Sequence, residues 1–141
     1  MPGKALVVDA NILVRAVLGK RVRAVIETYA GQVSFFVPDV AFAEAVEHLP
    51  ALVIKRGGDP EKALLFLRSL GRLVELIGSE VYGEFAAEAQ ERLGDRDRED
   101  WPILACALAF GCPVWTEDTD FFGCGVPTWT SSRVEMFLRN P

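Results

Sequence analysis

Four carboxylates come from four separate segments of the chain, three of them at strand or helix ends. Asp9 closes Leu6-Val7-Val8-Asp9, Glu44 lies inside the apolar stretch Val40–Lys55, Asp100 precedes the uncharged run from Trp101, and Asp118 sits in Thr116-Glu117-Asp118-Thr119-Asp120. Each reads two ways when taken alone. Asp9 and Asp100 suit the N-cap of a following helix as well as they suit a ligand. Glu44, with Glu47 and His48, falls on one narrow polar stripe of a helix, either a solvated face or a face turned to a polar pocket. Asp118 and Asp120 read as an acidic turn. Asn11 is a second cap candidate or a residue that orients a neighbour.

Taken together, the four imply more. Two unit charges about 4 Å apart repel by roughly 4 kcal/mol at an effective dielectric of about 20. Carboxylates that converge therefore need protons or cations between them. With oxygen ligands and no His or Cys, the donor set selects a hard cation, Mg²⁺ or Mn²⁺. Such an ion lowers the pKa of a bound water and steadies charge in a displacement at phosphorus.

The elements that must position these residues alternate. Lys4–Val8, Val33–Val37, Arg72–Ile77, Pro113–Thr116 and Thr128–Thr130 read as strands. Asn11–Leu18, Arg21–Tyr29, Val40–Lys55 (capped by Asp39 and kinked at Pro50) and a segment from Pro60, capped by Asp59, read as helices. So do Ser79 to about Leu93, with Ser79 as cap, Trp101–Phe110, closed by Gly111, and Arg133–Leu138. Asp95–Asp100 is a charged loop in which Asp95, Asp97 and Glu99 form a solvated turn. Trp101–Phe110 is apolar all round, so that helix is predicted to be buried. Strands alternating with helices imply one α/β domain over residues 1–141, a central parallel sheet of about four or five strands flanked by helices. Ligands in such sheets bind beyond the carboxyl ends of the strands, and Asp9 and Asp118 lie at those ends.

Composition removes several classes. Half of the 141 residues are hydrophobic and 25% are charged, which suits a folded chain and not a disordered one. The net charge of −5 argues against a protein that holds nucleic acid through phosphate contacts alone; a cation in the acidic pocket would reconcile it with a polyanion. Three cysteines, no C-x-x-C pair and one histidine leave neither a zinc site nor a disulfide framework. The apolar run before Asp9 is too short for a signal peptide, and Gly111 and Pro113 break the longest uncharged run, so a cytoplasmic protein with no membrane span is expected. No G-x-x-x-x-G-K-[ST], G-x-G-x-x-G or G-x-S-x-G occurs. Arg15, Lys20, Arg21 and Arg23 cluster soon after Asp9 and read as a solvated helix face or as a guide for a phosphate backbone.

The order of these motifs resembles the PIN-domain superfamily. Val-Val-Asp9-Ala-Asn11-Ile-Leu, Glu44 after the Pro38-Asp39 turn, Asp100-Trp-Pro-Ile-Leu-Ala-Cys-Ala-Leu, and Trp-Thr116-Glu-Asp118-Thr-Asp120-Phe carry the likeness from residue 5 to about 130. It is similar above all to short single-domain prokaryotic members, among them the toxin nucleases of toxin–antitoxin pairs. The resemblance implies a three-layer Rossmann-like fold and Mg²⁺- or Mn²⁺-dependent hydrolysis of RNA phosphodiesters. It assigns Asp9, Asp100 and Asp118 as metal ligands and Glu44 as the fourth catalytic acid, with Asn11, Thr116 and Asp120 in support. Ala10 departs from the hydroxyl residue common there, which removes a hydrogen bond but no ligand. A small antitoxin whose tail blocks the pocket and a homodimer, built on the apolar stretches Val33–Val37 and Phe121–Val126, are the partners it implies. The competing reading is a non-catalytic interaction domain that keeps the pocket as a structural cation site.

Overall fold

The computed structural model describes residues 3–96 and 98–139. Five strands, β1 (Lys4–Val8), β2 (Val33–Pro38), β3 (Glu75–Ile77), β4 (Val114–Trp115) and β5 (Thr128–Trp129), form one parallel sheet in the order β3-β2-β1-β4-β5. The chain builds outward from β1 through β2 to β3, then returns to lay β4 against the other side of β1. That reversal opens a crevice between the carboxyl ends of β1 and β4, the place where open α/β sheets bind ligands. Leu6, Val7 and Val8 are completely buried, as a central parallel strand requires, and Val7 pairs with Phe36 on one side and Val114 on the other.

Helices α1 (Ala10–Leu18), α2 (Arg21–Tyr29), α3 (Asp39–Lys55) and α4 (Pro60–Leu70) pack on one another as one group. In α3 the buried face is Ala41, Ala45, Leu49 and Val53, a strict four-residue spacing that lets α1 and α4 approach closely. The second group is α5 (Ser79–Tyr82), α6 (Ala86–Leu93) and α7 (Trp101–Phe110); α7 lies on β1, β2 and β4, and its stretch from Pro102 to Ala107 is buried throughout. A side chain of that size, fully buried, contributes about 1.5–3 kcal/mol. Gly111, with φ +63°, closes α7 in the left-handed conformation that L side chains avoid. The short α8 (Val134–Arg139) completes the chain. Among the described residues no helix is long and apolar enough to cross a membrane.

Four expectations are corrected. The third strand is shorter than Arg72–Ile77, because the N–H groups of Gly71, Arg72 and Leu73 bond back to Leu67, Ser69 and Leu70 and continue the turn of α4, leaving only Glu75–Ile77 to pair. The helix expected from Ser79 to Leu93 is two, divided by a 3₁₀ turn at Gly83–Phe85, and Gly78 rather than Ser79 takes the cap position. α3 is the one helix expected, running on through Pro50, but Asp39 is its first residue rather than its cap. The stretch Val33–Val37 is the interior strand β2, covered on both sides by β1 and β3, so it offers no surface to a second copy; in the other stretch Phe121 and Cys124 are buried and only Phe122 among its large apolar side chains is exposed. Asp97, expected in the charged turn, lies outside the described residues.

Candidate active site

Asp9 is both a helix cap and a member of the crevice. Its backbone is extended, with φ −84° and ψ 170°, and its Oδ1 accepts the N–H of Ile12 at 3.0 Å, so it caps α1. Its N–H reaches Trp115 O at 3.4 Å, prolonging the β1–β4 ladder by one rung. Its Oδ2 accepts the hydroxyl proton of Thr116, which is completely buried just past β4. The same hydroxyl oxygen accepts the N–H of Asp118 at 2.9 Å, and Asp118 Oδ1 accepts the N–H of Asp120 at 2.9 Å, folding the chain into a 3₁₀ turn at Thr119–Phe121. One chain of hydrogen bonds thus runs Asp9–Thr116–Asp118–Asp120 across the crevice. Each link uses a donor the turn would otherwise leave unmade.

Only 6% of Asp9 is exposed. Burial pushes its carboxyl up to about 6; the Thr116 hydroxyl and the Ile12 N–H pull it back, while the charges of Asp118 and Glu117 push it further up. The ionised form is held, yet under strain. Nearby negative charge makes the position one that a cation relieves.

A second wall is built differently. α3 presents Glu44, exposed, and Asp100 stands directly before α7, whose N-terminus points to the same edge of the sheet. With Glu99, Ala10, Ala41 and Ile103 they line a cavity of about 90 Å³. Ala10 follows Asp9, so this cavity adjoins the first group. Asp100 does not cap α7 through its side chain. A brace joins the two elements that carry these acids: the Tyr82 hydroxyl donates to Asp39 Oδ1 at 2.7 Å, at the start of α3, while its ring meets Trp101 edge-on at 5.8 Å. Burial is the main force raising the Tyr82 hydroxyl's pKa, so it remains a donor.

Asp9, Thr116 and Asp118 are therefore brought together, and Glu44 and Asp100 line a second cavity that Ala10 joins to them. Among the described residues no three Asp, Glu, His or Cys side chains converge closely enough, as they stand, to hold an ion. The acids form two half-sites of hard oxygen donors, which fits Mg²⁺ or Mn²⁺ in kind. Asn11 is exposed on the first turn of α1. Asp120 acts here through its N–H. His48 is exposed on α3 and lines neither wall.

The basic cluster is sorted by the fold. Arg15, Lys20 and Arg21 line an open groove, whereas Arg23 donates to the carbonyls of Ala16 and Val17 at 3.1 and 3.3 Å and lies 4.4 Å above the Phe66 ring. Sequence reasoning missed Arg56, which joins that groove, Glu117, whose carboxylate accepts the Ser131 N–H at 2.6 Å, and the Tyr82 brace. Glu117 was legible as the neighbour of Asp118; Arg56 and Tyr82 carry no local signal.

A family model described as PIN domain matches residues 7–139. No curated protein sequence matches the chain. Among solved structures, it is similar to a chain of VapBC2 from Rickettsia felis bound to a promoter DNA fragment, at 16% identity and TM-score 0.65, over 89% of this chain and 98% of that one. A chain of a toxin–antitoxin complex from Klebsiella pneumoniae aligns at 18% identity and TM-score 0.65, covering 89% and 97%. A chain of FitAcB from Neisseria gonorrhoeae aligns at 18% and 0.61, covering 90% and 98%. At these identities the likeness is one of fold.

Proposed function

The chain belongs to the PIN-domain family, and from that premise we propose that it is a Mg²⁺- or Mn²⁺-dependent endoribonuclease, the toxin of a toxin–antitoxin pair. The observation that carries the reading is the hydrogen-bonded Asp9–Thr116–Asp118 chain at the sheet's crossover point, with Glu44 and Asp100 lining the cavity that adjoins it at Ala10.

Asp9, Asp100 and Asp118 would hold the metal. When bound, the metal would supply a water more acidic than bulk water and positive charge beside the phosphate. The remaining chemistry belongs to the chain itself. Thr116 fixes the orientation of the Asp9 carboxylate, and the Asp120 N–H fixes that of Asp118. Glu44, facing solvent across the cavity, accepts a hydrogen bond from the attacking water and aims it at phosphorus. Solvent protonates the leaving oxygen, since the single histidine lies elsewhere.

The Klebsiella relative is a toxin–antitoxin complex, and on that likeness we assign this chain a small antitoxin partner. The test is cleavage of a mixed-structure RNA pool with Mg²⁺ or Mn²⁺, with EDTA, and with Asp9→Asn. Cutting that needs the metal and is lost in the variant is the expected result. Silence in every arm, with Mn²⁺ still raising the melting temperature, would replace this reading by the cation-binding interaction domain.

A further inference from the structure

Arg15 from α1, Lys20 and Arg21 from the start of α2, and Arg56 from the end of α3 come together along a groove of about 580 Å³. All four are exposed, and among the described residues none is paired with a carboxylate. One acid borders the groove. Glu117 is held in place by the Ser131 N–H and immediately precedes Asp118, and its charge reaches Asp9. The groove therefore opens beside the acidic crevice. On a chain of net charge −5, four unpaired cations in one groove are a concentration against the trend.

Local folding does not account for them. Lys20 and Arg21 stand at the positive end of α2, where cations oppose the helix dipole, and no acid in the first turn offsets them. Arg23, by contrast, is used by the fold and turned away. The residues lining the groove include no aromatic ring on which a base could stack and no Asn or Gln to read a base edge.

We propose that this groove carries the sugar–phosphate backbone of the RNA strand running to the cut, through phosphate contacts alone, so that it contributes affinity and no sequence preference. The identity of the polyanion rests on the nuclease reading; the groove itself does not. The test is fluorescence anisotropy of labelled single-stranded RNA in EDTA, where metal-dependent cutting is absent, across a salt series. Each phosphate contact to a single strand contributes about 0.7 to the slope of log affinity against log salt. Arg21→Ala/Arg56→Ala should lower that slope by about 1.4 and weaken binding roughly 25-fold at about 0.1 M salt. Oligo-U and oligo-A should be affected equally, and Arg68→Ala, exposed on α4, should bind as the wild type. Unchanged binding by the double variant overturns the proposal, as does displacement of RNA by an equally charged polyglutamate, which would hand the groove to an acidic protein segment. Salt-dependent binding through these residues without any metal-dependent cutting keeps the groove and removes the nuclease reading. Cutting that persists while the double variant binds normally does the reverse.

Discussion

In one wall Asp9 and Asp118 are locked to each other through a buried threonine, with every link within hydrogen-bond range; in the other, Glu44 on α3 and Asp100 just before α7 line a small cavity. The first wall is written into the sheet. The β1–β4 register sets Asp9 opposite Thr116, and the turn after β4 leaves Asp118 only one way to face. The second wall depends on how α3 and α7 pack, with Tyr82 as their brace. The difference separates two tasks. A buried, pre-oriented carboxylate carries an energetic burden in exchange for fixed geometry, whereas an exposed one costs the fold little and is free to meet a water or substrate.

The sharpest way to break this contrast is to neutralise one acid on each wall. Because burial raises the Asp9 carboxyl from 3.8 to about 6, the folded protein binds that proton more readily than the unfolded one. Stability from this group is thus present below pH 3.8 and lost as pH rises to about 6, where the cost levels off at about 3 kcal/mol. Asp9→Asn should be more stable than wild type by up to that amount above pH 6 in EDTA, with the gain gone below pH 4. Glu44→Gln should stay within about 0.5 kcal/mol of wild type at every pH. Urea denaturation over a pH series measures both; equal effects would abolish the distinction.

Next in size is Thr116→Val, which strips the buried Asp9 Oδ2 and the Asp118 N–H of their partner and should cost about 1–3 kcal/mol. Thr116→Ser, keeping the hydroxyl, should recover most of it in the same unfolding experiment. A smaller loss is expected at the brace. Tyr82→Phe removes one hydrogen bond to Asp39 while keeping the ring against Trp101, and should cost about 1 kcal/mol by thermal melting.

Much of this was legible from the chain alone, for local reasons. Lys4–Val8 is a run of apolar residues with no interruption until Asp9; Arg21–Tyr29 has a helical period; Asp59-Pro60 and Gly111 start and stop helices by their own backbone preferences. The candidate acids were legible too, because Asp9, Asp100 and Asp118 sit at strand or helix ends and Glu44 lies on the polar stripe of a helix. The misses come from competition the residues do not announce. Arg72–Val74 has strand-like composition, but the end of α4 uses the Arg72 and Leu73 N–H groups first. Val33–Val37 is apolar enough for an interface, and the sheet takes it for its interior. Arg23 and Arg56 look alike in sequence, and only the packing of α2 against Phe66 and the direction in which α3 ends place them differently. The same is true of the division into two walls, which is set by pairings between distant segments.

The proposed metal site draws ligands from both walls. The direct measurement is Mn²⁺ binding by titration calorimetry to the wild type, Asp9→Asn and Asp100→Asn. The account predicts that each variant weakens binding at least tenfold, a loss of about 1.4 kcal/mol or more. Wild-type affinity in Asp100→Asn, beside a loss in Asp9→Asn, would contradict it and confine the ion to the Asp9–Asp118 wall.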